Sequence, residues 1–185
     1  MRTFIAIDLD EAIKKELTAL VEELRPLGKN VRWVNPAGMH LTLKFLGEIS
    51  DQDSRDVCAA VEEIASRHQA FQLALKGTGV FPPGRQDPRV LWVGAENNPG
   101  LTELQADVEQ GLEKLGWERE KREYHPHLTL GRVKFPSRLD ALLSEFEKSR
   151  SRSFGEMRVL RLTFFQSTLK PSGAEYSVLA EFKLK

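Results

Sequence analysis

Along this chain the spacing of apolar positions changes from a period of two to a period near four and back several times. Thr3–Leu9 (Thr-Phe-Ile-Ala-Ile-Asp-Leu) is a short apolar, β-branched run and predicts a strand. From about Asp10 to Leu24 the apolar residues return at helical spacing, and Arg25-Pro26 with Gly28 supplies the stop. Val31–Val34 predicts a short strand and His40–Leu46 a longer one. A second helix is predicted over about Asp51–Arg67, with Ser50 or Asp51 as its cap. Phe71–Leu75 and Arg89–Val93 read as strands joined by the Gly- and Pro-rich stretch Gly77 to Pro88. A third helix follows from near Pro99 to Leu115, then a strand over His127–Val133 and a short helix over Ser137–Lys148. Two closing strands, Met157–Thr168 and Tyr176–Lys183, flank the turn Lys170-Pro171-Ser172-Gly173.

Strands interleaved with helices suggest a parallel sheet, but three connections argue otherwise. Val34 to His40, Leu75 to Arg89 and Thr168 to Tyr176 are too short or too rich in turn residues for helical crossovers. The expected fold class is therefore α+β, with two similar lobes of antiparallel sheet, helices on the outer faces and a central cleft. No low-complexity linker interrupts the chain, so residues 1–185 are expected to form one bilobal unit.

Composition narrows the function by exclusion. Lys and Arg number 27 and so do Asp and Glu, which leaves no overall basic field to hold long nucleic acid non-specifically. A local pocket for a short or terminal piece of nucleic acid is compatible with that balance. The lone Cys58 lies in a helical pattern, cannot form an internal disulfide, and reads as a half-buried helix residue in a reducing compartment. No apolar run approaches membrane-spanning length and the N-terminal stretch lacks a signal-peptide pattern. These features predict a soluble cytoplasmic protein with no membrane partner, and nothing in them calls for more than a monomer.

The candidate chemistry lies in a repeat. His-Leu-Thr-Leu occurs at His40–Leu43 and again at His127–Leu130, close to half the chain apart. Only four histidines exist and one heads each copy. Each copy follows a turn-like polar stretch, Asn35-Pro36-Ala37-Gly38 or Lys121-Arg122-Glu123, and each runs on to a glycine, Gly47 or Gly131. On a strand, His and Thr at i and i+2 share one face while the two leucines take the other. If the two strands adjoin, two imidazoles and two hydroxyls meet in one cleft. Such a pair suits displacement at a phosphodiester: one imidazole takes a proton from water while the other protonates the departing oxygen. Thr42 and Thr129 would donate to the non-bridging oxygens. Lys44, two residues past Thr42, shares its face on simple alternation and would add a positive charge. The scheme requires no metal and no other cofactor. His125-Pro126-His127 offers two imidazoles at strand spacing as a metal-ligand alternative, but no Asp or Glu follows at useful spacing. His68 reads as a solvated cation at a helix C-terminus. A single His-x-Thr on a strand is ordinarily structural; it is the pairing that points to a site.

The two motifs, His40-Leu-Thr-Leu-Lys-Phe-Leu-Gly47 and His125-Pro-His-Leu-Thr-Leu-Gly-Arg132, resemble those of the 2H phosphoesterases, and more narrowly the RNA 2′,3′-cyclic phosphodiesterases, also called the 2′-5′ RNA ligase family. Arg2-Thr-Phe-Ile-Ala-Ile-Asp8, Val31-Arg-Trp-Val34, Leu91-Trp-Val-Gly94 and Phe165-Gln-Ser-Thr-Leu169 with Gly173 and Tyr176 extend the resemblance over nearly the whole chain. It implies a bilobal α+β enzyme that opens a 2′,3′-cyclic phosphate at an RNA end to a 2′-phosphomonoester without a metal. The partner it implies is RNA with such an end, or a small cyclic nucleotide. By position, His40 corresponds to the proton donor to the 3′ oxygen and His127 to the proton acceptor from water. Thr42 and Thr129 correspond to the phosphate-holding threonines. Arg132 matches an arginine near the terminal nucleotide, although simple alternation sets it opposite His127 unless a bend or bulge follows Gly131. Phe4 is a candidate wall of the base pocket, with a core role as the alternative. Gln166 departs from the acidic residue common at its position.

Two other readings stay open on the sequence alone. The same two histidines can run the reaction backwards, joining a 2′,3′-cyclic end to a 5′-hydroxyl through a 2′-5′ linkage. A binding module that holds a phosphorylated ligand in the same cleft, without chemistry, is the other. The loop Gly77–Pro88, with Arg85 and the neighbouring Arg89, is a further candidate contact to an RNA backbone, against the plainer reading of a solvated loop.

Overall fold

The computed structural model describes Met1–Lys185 and contains nine strands and four helices. The strands are β1 (Arg2–Asp8), β2 (Val31–Trp33), β3 (His40–Glu48), β4 (Phe71–Phe81), β5 (Val90–Ala95), β6 (His127–Val133), β7 (Ser153–Val159), β8 (Arg161–Lys170) and β9 (Gly173–Lys183). The helices are α1 (Glu11–Leu24), α2 (Asp51–Arg67), α3 (Pro99–Glu113) and α4 (Asp140–Glu147). They build two sheets, one in the order β3-β1-β8-β9 and one in the order β2-β6-β5-β4-β7. Every pairing is antiparallel, as the short connections require. The fold is the expected α+β class.

Three features depart from the pattern reading. Met157–Thr168 is two strands, β7 and β8, because the chain leaves the second sheet at half-exposed Leu160 and enters the first. The run through Gly77 and Gly79 is strand rather than loop. Gly77, at φ +80°, sits at a register shift against β5, and Gly79 leaves room for the Trp92 ring laid across it. Most important, the sheets do not correspond to halves of the sequence. The C-terminal hairpin β8–β9 completes the sheet begun by β1 and β3, while β2 from the first half joins the sheet of β6. That exchange interlocks the two halves of the chain.

Helical spacing places one face of each long helix in the core. Ile13, Leu17, Leu20, Val21 and Leu24 are buried from α1, and Val57, Val61 and Ile64 from α2. Ser50 caps α2 in a reciprocal capping box with Asp53. One apolar cluster of 39 residues joins both sheets to the helices, so neither sheet is stabilised alone. The motif leucines Leu41, Leu43, Leu128 and Leu130 belong to it and are at most 3% exposed. At roughly 1.5–3 kcal/mol for each buried Leu, they fix which face of each motif strand turns inward. A separate small cluster of Phe4, Ala6 and Phe165, with Tyr176 against it, lies beside His40 on the other face of the first sheet.

Candidate functional site

The two motif strands carry the same irregularity at the same place. On β3, His40 stands opposite Asp8 and Thr42 opposite Ala6, but the next pair is Lys44 with Ile5, which leaves Leu43 unmatched. On β6, His127 stands opposite Gly94 and Thr129 opposite Trp92, but the next pair is Gly131 with Leu91, which leaves Leu130 unmatched. Each extra residue is a β-bulge, and it inverts the alternation beyond it. Lys44 and Gly131 therefore turn to the buried face, while Phe45 and Arg132 turn to the face that carries His and Thr. β3 and β6 adjoin, with Cα atoms within 8 Å of one another.

Both imidazoles are held by the same device. Nδ1 of His40 lies 2.6 Å from the carbonyl oxygen of Gly38, and Nδ1 of His127 lies 2.6 Å from that of His125. A carbonyl only accepts, so Nδ1 donates in both rings, and the neutral ring leaves Nε2 as its free acceptor. Gly38 closes the 3-10 turn Pro36–Gly38, and a Cβ there would lie 2.8 Å from the ring of Tyr176. Lys14, from α1, reaches Asp8 at 3.0 Å and the carbonyl of Ala37 at 3.4 Å, tying that turn to the strand opposite His40.

The surroundings of the two rings differ. His40 stacks on Phe4 at 4.5 Å, meets Tyr176 edge-on at 4.9 Å and has Phe165 at 5.5 Å. Burial among these rings pushes its pKa below the ordinary 6.5, against the opposing pulls of the Gly38 carbonyl and Asp8. His127 has Phe81 edge-on at 5.2 Å and Trp92 at 6.1 Å.

β3 is an edge strand, and side chains stand in for its missing neighbour. Tyr124 Oη donates to the carbonyl of Thr42 at 3.1 Å, Gln105 Nε2 to that of Leu43 at 3.3 Å, and Trp117 Nε1 to that of Leu46 at 3.1 Å. These donors come from α3 and the segment that leads into His127, so the chain before one motif braces the strand of the other. Sequence reasoning missed Tyr124, Gln105 and Trp117. The only local signal was an aromatic residue, Tyr124, directly after the charged run Lys121-Arg122-Glu123.

Lys44 requires a correction. It was expected on the face of Thr42, but the bulge at Leu43 turns it inward. Its side chain is 5% exposed, pairs with Glu109 at 2.7 Å and donates to the carbonyl of Glu118 at 2.7 Å. It does not reach the cleft. Arg132 moves the other way. The bulge at Leu130, one residue earlier than simple alternation required, sets it on the face of His127; burial raises the pKa of Tyr176 on the opposite sheet, and the charges of Arg132 and Arg2 partly offset that rise. Phe4 is 2% exposed, so its ring supports the His40 imidazole rather than offering open surface. His68 is not a free cation: its Nε2 lies 2.8 Å from Asp107 on α3. His125 is exposed and lies 3.9 Å from Glu123. Arg85 is held at both ends of its guanidinium by Asp87, and Cys58 is a half-buried residue of α2 whose thiol pKa is raised by burial.

Comparison with known proteins bears on the family and the overall fold. The 2′-5′ RNA ligase superfamily profile matches residues 9–170. The chain is 33% identical over 184 residues to the RNA 2′,3′-cyclic phosphodiesterase of Methanothermobacter thermautotrophicus, covering 100% of this chain and 99% of that one. It is 36% identical over 182 residues to the RNA 2′,3′-cyclic phosphodiesterase of Methanocaldococcus jannaschii, covering 98% and 100%. Among solved structures, TT0787 of Thermus thermophilus superposes with a TM-score of 0.84 at 32% identity, over 100% of this chain and 98% of that one. E. coli LigT complexed with 3′-AMP superposes with a TM-score of 0.78 at 26% identity, over 99% and 97%.

Proposed function

The chain belongs to the 2′-5′ RNA ligase superfamily, and from that premise we propose that it hydrolyses a 2′,3′-cyclic phosphate at an RNA end to a 2′-phosphomonoester. It is a phosphodiesterase, as its full-length relatives are named. The observation that carries the two-histidine reading is the mirrored geometry: two imidazoles, each locked through Nδ1 to the carbonyl two residues upstream, each with a threonine two residues on. Nothing in a stable core calls for that arrangement twice.

In the proposed reaction the phosphate lies between the motif strands, with Thr42 and Thr129 donating to its non-bridging oxygens, where charge accumulates. Nε2 of His127 takes a proton from water as the water oxygen bonds to phosphorus. The bond from phosphorus to the 3′ oxygen breaks, and Nε2–H of His40 delivers a proton to that oxygen. The products are a 2′-phosphomonoester and a free 3′-hydroxyl. The depressed pKa of His40 makes its imidazolium a stronger acid toward the leaving oxygen, and the phosphodiester anion entering the cleft favours the protonated ring. In this scheme the two imidazoles carry the protons and the threonines meet the charge on the non-bridging oxygens, so no metal is called on. The same assembly supports ligation, in which a 5′-hydroxyl takes the place of water, gives its proton to His127 and forms a 2′-5′ linkage as the 3′ oxygen leaves.

The test is turnover of an oligoribonucleotide with a 2′,3′-cyclic phosphate end in the presence of EDTA, with and without a second oligonucleotide bearing a 5′-hydroxyl. Wild type should yield a 2′-phosphate, and His40→Ala and His127→Ala should each lose about 10²–10⁴-fold. A wild type inactive in EDTA, or either variant retaining full turnover, would refute the scheme.

A further inference from the structure

Two arginines face each other on the open side of the second sheet. Arg32 of β2 pairs in register with Arg132 of β6. Their neighbours fix the face. Val31 and Val133 are buried, and the Trp33 ring lies against Gly131 on the inner side, where a Cβ on the glycine would meet it at 3.1 Å. Arg32 and Arg132 therefore project from the outer side, the face of His127 and Thr129. Both are exposed.

Like charges directly opposite on neighbouring strands destabilise the pairing. Eight of the fifteen arginines, among them Arg67, Arg85, Arg119, Arg138 and Arg150, lie within 4 Å of a carboxylate, and Arg2, Arg55, Arg89, Arg122 and Arg158 do not. Arg32 and Arg132 have no such partner. A cross-strand guanidinium pair that the fold leaves uncompensated is a site for an anion, and a planar fork suits phosphate oxygens.

Position selects which phosphate. Thr129 is three residues from Arg132, a reach of about 7–10 Å along a bulged strand, and Arg32 lies one strand further out, another ~4.8 Å. The pair is thus offset along the sheet from the phosphate held between the histidines, by a backbone distance of the order of one nucleotide step. Across the cleft, the position matching Arg132 in the other motif is Phe45, on the equivalent face and 65% exposed. An exposed aromatic ring facing a basic strand suits a nucleobase on a single strand.

Resting on the cyclic phosphodiesterase reading, we propose that Arg32 and Arg132 form a second subsite for the phosphodiester immediately upstream of the reacting cyclic phosphate. The substrate class is then single-stranded RNA of at least two nucleotides rather than a mononucleotide.

The experiment compares kcat/KM for a short oligoribonucleotide ending in a 2′,3′-cyclic phosphate with that for the corresponding nucleoside 2′,3′-cyclic phosphate. It uses wild type, Arg32→Gln and Arg32→Lys over a range of salt concentrations. Wild type should prefer the oligonucleotide. Arg32→Gln should reduce that preference about tenfold and lower the salt slope of oligonucleotide kcat/KM by about 1, while Arg32→Lys keeps most of both. Equal losses on the two substrates, or an unchanged preference, would overturn the subsite. A wild type that turns over neither substrate would sink the phosphodiesterase reading instead, which separates the two failures.

Discussion

Lys44→Met is the substitution on which the sequence pattern and the folded structure disagree. On the strand pattern Lys44 is a substrate contact, and its loss should weaken turnover while leaving stability near wild type. In the structure its ammonium is enclosed, with side-chain exposure of 5% for Lys44 and 11% for Glu109 and a separation of 2.7 Å. Exposed ion pairs contribute about 0–1 kcal/mol, whereas removing one partner of a buried pair costs about 3–5 kcal/mol, because the other charge stays behind without compensation. Glu109 would keep two donors, Gln105 Nε2 at 3.3 Å and the backbone N–H of Glu120 at 3.2 Å. The lower end, about 3 kcal/mol, is therefore expected. For a chain of this size that corresponds to a fall in Tm of about 6–12 °C. Replacing both partners, Lys44→Met with Glu109→Leu, should restore at least half of the loss, since no buried charge is then stranded. Thermal and urea denaturation of the wild type, the two single variants and the double variant give the full cycle. A loss below about 1 kcal/mol for Lys44→Met, or a double variant no more stable than the worse single one, would refute the account of Lys44 as a buried structural charge.

Three further outcomes follow from the site. Burial holds the His40 pKa below 6.5, so as pH falls through that value the unfolded chain binds this proton before the folded one does, and stability drops until the depressed pKa is passed; above 6.5 the contribution is constant. Urea unfolding at about pH 7.5 and about pH 5.5 should show a smaller acid loss for His40→Gln than for wild type, and equal losses would contradict the sign. Gly79→Ala would place a methyl 2.1 Å from Cζ2 of Trp92, so it should destabilise by about 1–3 kcal/mol and shift tryptophan fluorescence as the ring moves from its place beside His127; an unchanged spectrum and Tm would show that the contact yields freely. Tyr124→Phe removes the donor to the Thr42 carbonyl and should cost about 1 kcal/mol, with a fall in kcat larger than any rise in KM, because it shifts the motif strand rather than a binding group; a change confined to KM would argue against bracing.

Much of the site was legible in one dimension because strand alternation is local. His40 and Thr42, and likewise His127 and Thr129, lie on the face opposite four leucines, and burial of those leucines alone decides the orientation. The cap at Ser50 and the antiparallel pairing also came from nearby residues and connection lengths. What the sequence could not determine depends on partners distant along the chain. The bulges at Leu43 and Leu130 arise where β1 and β5 meet the motif strands, and each inverts the side chains beyond it. That one-residue slip takes Lys44 out of the cleft and brings Arg132 into it. Tyr124, Gln105 and Trp117 brace β3 only because it is an edge strand, a fact of sheet order rather than of sequence around His40. The interleaving of β8–β9 with β1 and β3, against the apparent halves of the repeat, has the same origin. Periodicity in a single strand fixes which residues share a face up to the first irregularity. Register, and everything past that irregularity, is set by hydrogen bonds to another part of the chain.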